Sequence, residues 1–343
     1  MTIEQVEYWL RETDEKKLEE LWDAADTIRK KTVGDAVHLR GLIEVSNYCV
    51  RRCTYCGLAA DNKDMSRYRM NADEIFACAE EAASYGYGTV VMQAGEDYGI
   101  ESQWLANVVK RIKGNLPLAV TLSMGERPFE DLQHWRSAGA DRYLLRFETS
   151  DTKLYKSIHP PLPKQTTDRF EILHQLKKLG YETGSGVMIG IPGQTFRTLA
   201  NDINTFHQYD MDMIGVGPYI ANPLTPLEQN GIGYKIDPED QVHNTEMMTY
   251  KVIALTRLVC PQANIPSTTA LATINKKSGR ELGLSRGANV VMPNVTPIEY
   301  RMKYEIYPGK ACLNETAKQC QGCLATRIAS IGRTIGTGYG SRN

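Results

Sequence analysis

Neither sign of charge dominates this sequence: 40 lysines and arginines stand against 41 aspartates and glutamates, a formal net charge of -1. Holding nucleic acid without sequence preference needs a strong positive field, so the balance speaks against that class. Long apolar runs are missing as well, and the expectation is no membrane-spanning helix. The opening stretch MTIEQVEYWLRETDEKKLEELW is too polar and acidic to read as a secretory leader. Low-complexity tracts and linkers are also lacking. The expected setting is the cytoplasm, where thiols stay reduced and grouped cysteines hold metal or do chemistry.

Eight cysteines are there to be explained. Cys78 and Cys260 lie in helical patterns and read as small buried hydrophobes. The other six form two tight groups: Cys49, Cys53 and Cys56, then Cys312, Cys320 and Cys323. The first group has C-x3-C-x2-C spacing. A closed structural zinc wants four ligands, and no histidine follows within ten residues. A cubane iron–sulfur cluster gives a different account, because three thiolates hold three irons and leave the fourth open. Zinc with a remote fourth ligand stays as the alternative. Arg51 and Arg52, between the cysteines, read as offsets to a cluster's negative charge.

The 343 residues can bury a large core. Residues 1–34 read as an N-terminal helical cap, with Val6, Leu10, Leu18, Leu21, Trp22 and Ile28 on a partial apolar stripe. After Gly34, short apolar runs alternate with amphipathic segments. Strands are expected at 37–45, 88–95, 118–123, 142–149, 183–190, 213–220, 263–269 and 288–293. Helices are expected near 73–85, 101–113, 128–138, 166–179, 195–208, 241–259 and 278–286. Eight strands with seven alternations predict an α/β fold, a (β/α)8 TIM-type barrel over 35–294, with an open doubly wound sheet as the alternative. Pro266 makes 263–269 the weakest strand, since proline cannot donate to a ladder. Residues 223–239 read as a long loop flanking the rim, and 295–343 as a C-terminal extension carrying the second cysteine group.

Several of these runs end in polar or glycine residues: Glu44, Ser46 and Asn47; Gln93, Gly95, Glu96 and Asp97; Ser123, Gly125 and Glu126; Arg146 and Glu148; Thr268 and Thr269. In a parallel barrel such ends converge on one rim, where these folds do their chemistry. Loops capping the next helix would be polar anyway. The set as a whole, with three cysteines in the first loop, points to a site.

The cysteine loop after the first strand, with Tyr55 before its last cysteine, resembles the radical S-adenosylmethionine (radical SAM) superfamily. The resemblance implies a [4Fe–4S] cluster on Cys49, Cys53 and Cys56. It also implies S-adenosyl-L-methionine (SAM) chelated at the open iron and cleaved by an electron to a 5'-deoxyadenosyl radical. Tyr55, Gln93, Gly95, Glu96 and Ser123 would then line the cofactor, with backbone carbonyls of QAGED (93–97) accepting from the methionine amino group. Glu148 would take the ribose hydroxyls and Arg169 the SAM carboxylate. A surface ion pair is the plain alternative for these last two.

Longer stretches carry the likeness further. SNYCVRRCTYCGLAADNKDMSRYRM (46–70) resembles the branch that contains biotin synthase, methylornithine synthase and the hydrogenase-maturase HydE family. GADRYLLRFET (139–149), LGYETGSGVMIGIPGQT (179–195), NIPSTTALATI (264–274), GANVVMPNVTP (287–297) and YPGKAC (307–312) look most like the HydE family. That family implies an organometallic substrate, a cysteine-bound Fe(CO)2CN unit made by the maturase HydG. The product feeds the diiron subcluster of the [FeFe]-hydrogenase H-cluster, with HydF as a further partner and ferredoxin or flavodoxin as electron donor. By the same resemblance, Arg40, Arg146, Thr268, Thr269, Met292, Tyr304 and Tyr307 would wall the substrate cavity, with Arg40 and Arg146 on its carboxylate or cyanide. Tyr304 and Tyr307 stand three apart, as on one side of a helical turn. Core packing is the alternative for both tyrosines and for Met292. Cys312, Cys320 and Cys323 resemble an accessory iron–sulfur site, [2Fe–2S] or [4Fe–4S]; a zinc or reduced-thiol staple of the tail stays open. His38 reads as a satisfied core histidine. Three other functions stay open: an amino-acid mutase of the methylornithine synthase kind, a HydE-like enzyme with a different substrate, and a non-enzymatic scaffold for iron–sulfur or metal units.

Overall fold

The computed structural model describes residues 1–162, 168–313 and 315–342. Two helices, Ile3–Arg11 and Glu15–Val33, form the N-terminal cap. The helical stretch divides because Asp14 supplies a second N-cap, its carboxylate accepting from the Lys17 amide. Val6 and Leu10 are buried on the first helix and Leu18 and Leu21 on the second.

The parallel strands β1 (Ala36–Ser46), β2 (Thr89–Ala94), β3 (Ala119–Ser123), β4 (Arg142–Leu144), β5 (Glu182–Ile189), β6 (Met213–Pro218) and β7 (Val290–Val291) follow in chain order. Their order in the sheet is β6-β5-β4-β3-β2-β1-β7. The expected strand at 263–269 does not form, and Pro266 sits in its middle. That segment instead makes isolated bridges, Met213 with Asn264 and Pro266 with Val290. The Ile214 amide donates to Asn264 O and the Ser267 amide to Val290 O, both at 2.9 Å, so the segment links β6 to β7. An eighth strand, β8 (Thr334–Ile335), comes from the C-terminal extension and pairs with Ala36 and Val37 at the start of β1.

β4 ends at Leu144, short of the expected 142–149, and the chain rejoins β5 only at an isolated parallel bridge between Glu148, at φ 62°, and Val187. All seven expected helices are present, the first as Ala72–Ser84 and the last as Gly279–Ser285. Residues 223–239 are not wholly loop: a short helix, Pro226–Asn230, starts with proline at its first turn. Gly41 faces the helix Ala72–Ser84, where an added Cβ would lie 2.9 Å from Ala82. Arg40 and Glu44, on the alternate positions of β1, therefore face the barrel interior. No described helix is long and apolar enough to cross a membrane.

Candidate active site

The chain leaves β1 at the C-terminal rim and turns at once into the loop that carries Cys49, Cys53 and Cys56. Two features hold this loop from outside. The Arg67 guanidinium donates to four of its carbonyls, those of Asn47, Leu58, Ala59 and Asn62, at 2.6–3.1 Å. Gly95, just past β2, donates its amide to Ser46 O at 3.0 Å. A Cβ there would lie 2.2 Å from Tyr48 O, so only glycine lets the thiol loop settle on β2.

Arg51 does not face outward as a counter-charge. It is buried, donating to Glu96 Oε1 at 2.7 Å and Glu126 Oε2 at 2.5 Å. Glu126 Oε1 accepts from Arg169 Nε at 2.7 Å. Arg169 donates as well to Arg146 O and to His159 Nε2. Arginine stays charged, so His159 must accept, and burial beside Arg169 lowers its pKa to about 3. One alternating row of charges thus ties the first three rim loops to the helix Arg169–Lys178. Arg52, by contrast, is exposed. Glu96 is fully engaged, accepting also from Tyr98 Oη and the Glu126 amide, and burial pushes its carboxyl upward.

Burial raises all three thiols, Cys56 to about 12. Cys56 and Cys49 also raise Cys53, which places the three within reach of one another. A bound metal takes the thiolate and reverses that preference. Among the described residues, no three His, Cys, Asp or Glu side chains converge on a single ion. Three thiolates with no fourth partner in the loop suit a cluster with one open iron.

Tyr55 is half-buried between Cys53 and Glu148, which both raise its hydroxyl pKa after burial itself. Gln93 donates to Tyr304 Oη at 3.2 Å, and Ser123 pairs in register with Gln93. Glu148 is buried and accepts from Arg146 Nε through both oxygens, at 3.0 and 3.1 Å. Glu148 and Arg169 therefore have separate internal partners and do not pair with each other.

The residues named as cavity walls divide into levels. Arg146 faces inward near the rim, donating to Gly215 O and Val187 O. Thr268 caps the helix Thr269–Ile274 with its hydroxyl, and Gly217 lies against it. Thr269 and Met292 are half-buried. Tyr304 is buried, and Tyr307 is raised to about 12 by burial. These two do not share a helical turn: the helix ends at Arg301, and both lie on an irregular segment. Arg40 stands apart at the opposite end of the barrel. It contacts Met213 Sδ and donates to Gly340 O. Its Nε and the Thr121 hydroxyl, both buried, have no partner among the described residues. His38 is not a satisfied histidine, because its Nδ1 is likewise unpartnered.

In the C-terminal group, Arg280 Nη2 lies 3.6 Å from Cys312 Sγ, and Cys323 is exposed on the helix Ala317–Ser330. The Cys320 side chain lies outside the described residues. Cys78 and Cys260 are buried. Sequence reasoning passed over Arg67, His159 and Lys310. Lys310 pairs with Glu44 inside the barrel, and its only sequence signal was its place in the YPGKAC run.

Residues 43–206 match the Radical SAM superfamily. The chain is 44% identical to the [FeFe] hydrogenase maturase subunit HydE of Thermotoga maritima, over 94% of this chain and 89% of that protein. It is 27% identical to 3-methylornithine synthase of Methanosarcina acetivorans, over 85% and 79%. The crystal structure of methylornithine synthase (PylB) superposes with a TM-score of 0.80 at 24% identity, covering 98% of this chain and 94% of that one.

Proposed function

From the chain's membership of the radical SAM superfamily, in its HydE-like branch, we propose that it reductively cleaves SAM and uses the radical to mature an [FeFe]-hydrogenase. The observation that carries the reading is the rim loop with three half-buried thiols, with Gln93, Tyr304 and Glu148 around it and no fourth ligand in the loop. Cys49, Cys53 and Cys56 would hold a [4Fe–4S] cluster. That cluster, with SAM bound, supplies a low-potential electron and a 5'-deoxyadenosyl radical.

The chain's own groups position the reactants. The Gly95 region presents backbone to the methionine amino group, and Glu148 lies beside Tyr55 for the ribose hydroxyls. Arg169 keeps two N–H groups beyond its three partners for a carboxylate. Deeper in, Arg40 Nε and Thr121 Oγ1 are buried donors that a small anion inside the barrel would satisfy. That chemistry fits the proposed substrate, a cysteine-bound Fe(CO)2CN unit supplied by HydG, its product passing through HydF toward the diiron subcluster. Ferredoxin or flavodoxin would supply the electron. The C-terminal cysteines would form a dispensable accessory iron–sulfur site.

Anaerobic reconstitution with iron, sulfide, SAM and dithionite tests the reading. Formation of 5'-deoxyadenosine is expected, and its rate should rise on adding the iron–cysteine complex. No 5'-deoxyadenosine would leave only a scaffold role, and stimulation by lysine instead would give a mutase of the methylornithine synthase kind.

A further inference from the structure

We propose that Lys310 is a positioning residue for the thiol loop: its ammonium, paired with Glu44 inside the barrel, holds residues 303–310 as a strap against the loop of Cys49, Cys53 and Cys56. Four contacts define the strap. Asn47 Nδ2 donates to Lys303 O at 2.7 Å, and the Gly57 amide donates to Ile306 O at 2.8 Å. Gln93 reaches Tyr304 Oη, and Lys310, which also donates to Tyr304 O within the strap, reaches Glu44 Oε1. Two of these four involve the thiol loop itself. The other two fix the strap to the ends of β1 and β2, from which that loop is hung.

The ion pair is the deepest of the four, with side chains 5% and 1% exposed. Its carboxylate end is fixed independently: Glu44 Oε2 accepts from Asn294 at 3.0 Å, and the Glu44 amide donates to Thr296 Oγ1 at 2.8 Å. A desolvated pair of this kind adds little net stability, but it sets one register for the segment that carries it. The neck of the strap closes elsewhere. Arg301 donates to Cys312 O at 3.0 Å and to Thr296 O, so losing the pair frees the strap without releasing the extension. Contact with the thiol loop is close. A Cβ on Gly57 would lie 2.3 Å from Glu305 O, so a displaced strap leaves the loop after Cys56 uncovered.

The inference rests on the proposed function only in taking the thiol loop as the reactive element, and hydrogen–deuterium exchange on the full chain tests it with or without a cluster. In Lys310→Met, peptides spanning 53–60 and 303–310 should exchange about tenfold faster, with β2 and β3 unchanged. The double variant Glu44→Gln/Lys310→Met leaves no unpaired buried charge. It should melt close to the unaltered chain yet keep the fast exchange. Gly57→Ala, which keeps the pair but crowds the strap, should speed exchange over 53–60. After reconstitution, the double variant should show a raised KM for SAM with an altered electron paramagnetic resonance signal on SAM addition. Unchanged exchange over 53–60 in the double variant overturns the proposal. So does faster exchange throughout the strands, since the pair would then support the whole fold. If even the unaltered chain makes no 5'-deoxyadenosine, the proposed function fails, while the exchange result still decides this inference.

Discussion

Gly95 lacks a side chain because the thiol loop occupies the space one would need. Its amide bonds Ser46 O, and Tyr48 O stands where a Cβ would project. Gly95→Ala must push the loop outward at a cost of about 1–3 kcal/mol. The expected result is a folded protein that retains much less iron after reconstitution; iron content equal to that of the unaltered chain would contradict it. The cysteines themselves predict an asymmetry between the two groups. Cys53→Ala should abolish 5'-deoxyadenosine formation, whereas Cys320→Ala should leave most of it, and equal losses would overturn the ranking. Arg51 shows what spacing alone leaves undetermined. Its place between cysteines suggested a counter-charge, but two carboxylates arriving from the loops after β2 and β3 claim it.

At the scale of elements, the rim of β4 depends on a helix remote in sequence. Asp202, on the helix Phe196–Gln208, accepts from the Ser150 amide at 2.5 Å, Ser150 Oγ at 2.6 Å and Thr149 Oγ1 at 3.3 Å. It thereby holds the turn in which Glu148 sits at φ 62°, a left-handed conformation that needs support. Burial raises the Asp202 carboxyl from 3.8 to about 7. The folded state therefore holds a proton that the unfolded chain has already lost in this interval, and stability should fall as pH rises from about 4 to 7. Asp202→Asn should flatten that slope in thermal melts run across pH 4–8; an unchanged slope would show that Asp202 is not its source. The alternation of strands and helices was legible because each element's apolar pattern is local. The failure at 263–269 has a local cause too, an absent proline N–H, while β4 stops at Leu144 ahead of the isolated bridge from Glu148 to Val187. The Pro226–Asn230 helix did carry a start signal, Thr225 followed by proline, within a segment otherwise without periodicity. The Glu44–Lys310 pair had no such signal, because it spans 266 residues and only the closed barrel brings it together.

Taken whole, the molecule uses its last fifty residues at both ends of the barrel. The strap lies at the rim, and the tail beyond β8 closes the opposite opening. There Tyr339 O accepts from Arg142 and Thr89, Gly340 O accepts from Arg40 and Asn264, and Arg342 pairs with Asp210 and Asp212. The His38 ring is lodged against Gly336 and Gly340, where added Cβ atoms would come within 2.6 Å of it. Arg40 makes this closure costly to lose. Burial, and then Arg142, lower its pKa to about 9, and Gly340 O is an oxygen partner that the tail alone provides. Arg142 keeps Glu182 at 2.6 Å whatever the tail does, so the loss falls mainly on Arg40 and on the strand pairing at Ala36. Deleting residues 334–343 should therefore lower the melting temperature by several degrees, in keeping with a loss of about 2–4 kcal/mol from breaking a buried polar network. Arg40→Met in the truncated chain should recover part of that loss by removing the stranded charge. Iron uptake by Cys49, Cys53 and Cys56 should stay at the level of the full chain, since the thiol loop lies at the far rim. An unchanged melting temperature would mean that the tail seals nothing, and a loss of iron in step with stability would mean that the two ends of the barrel are not independent.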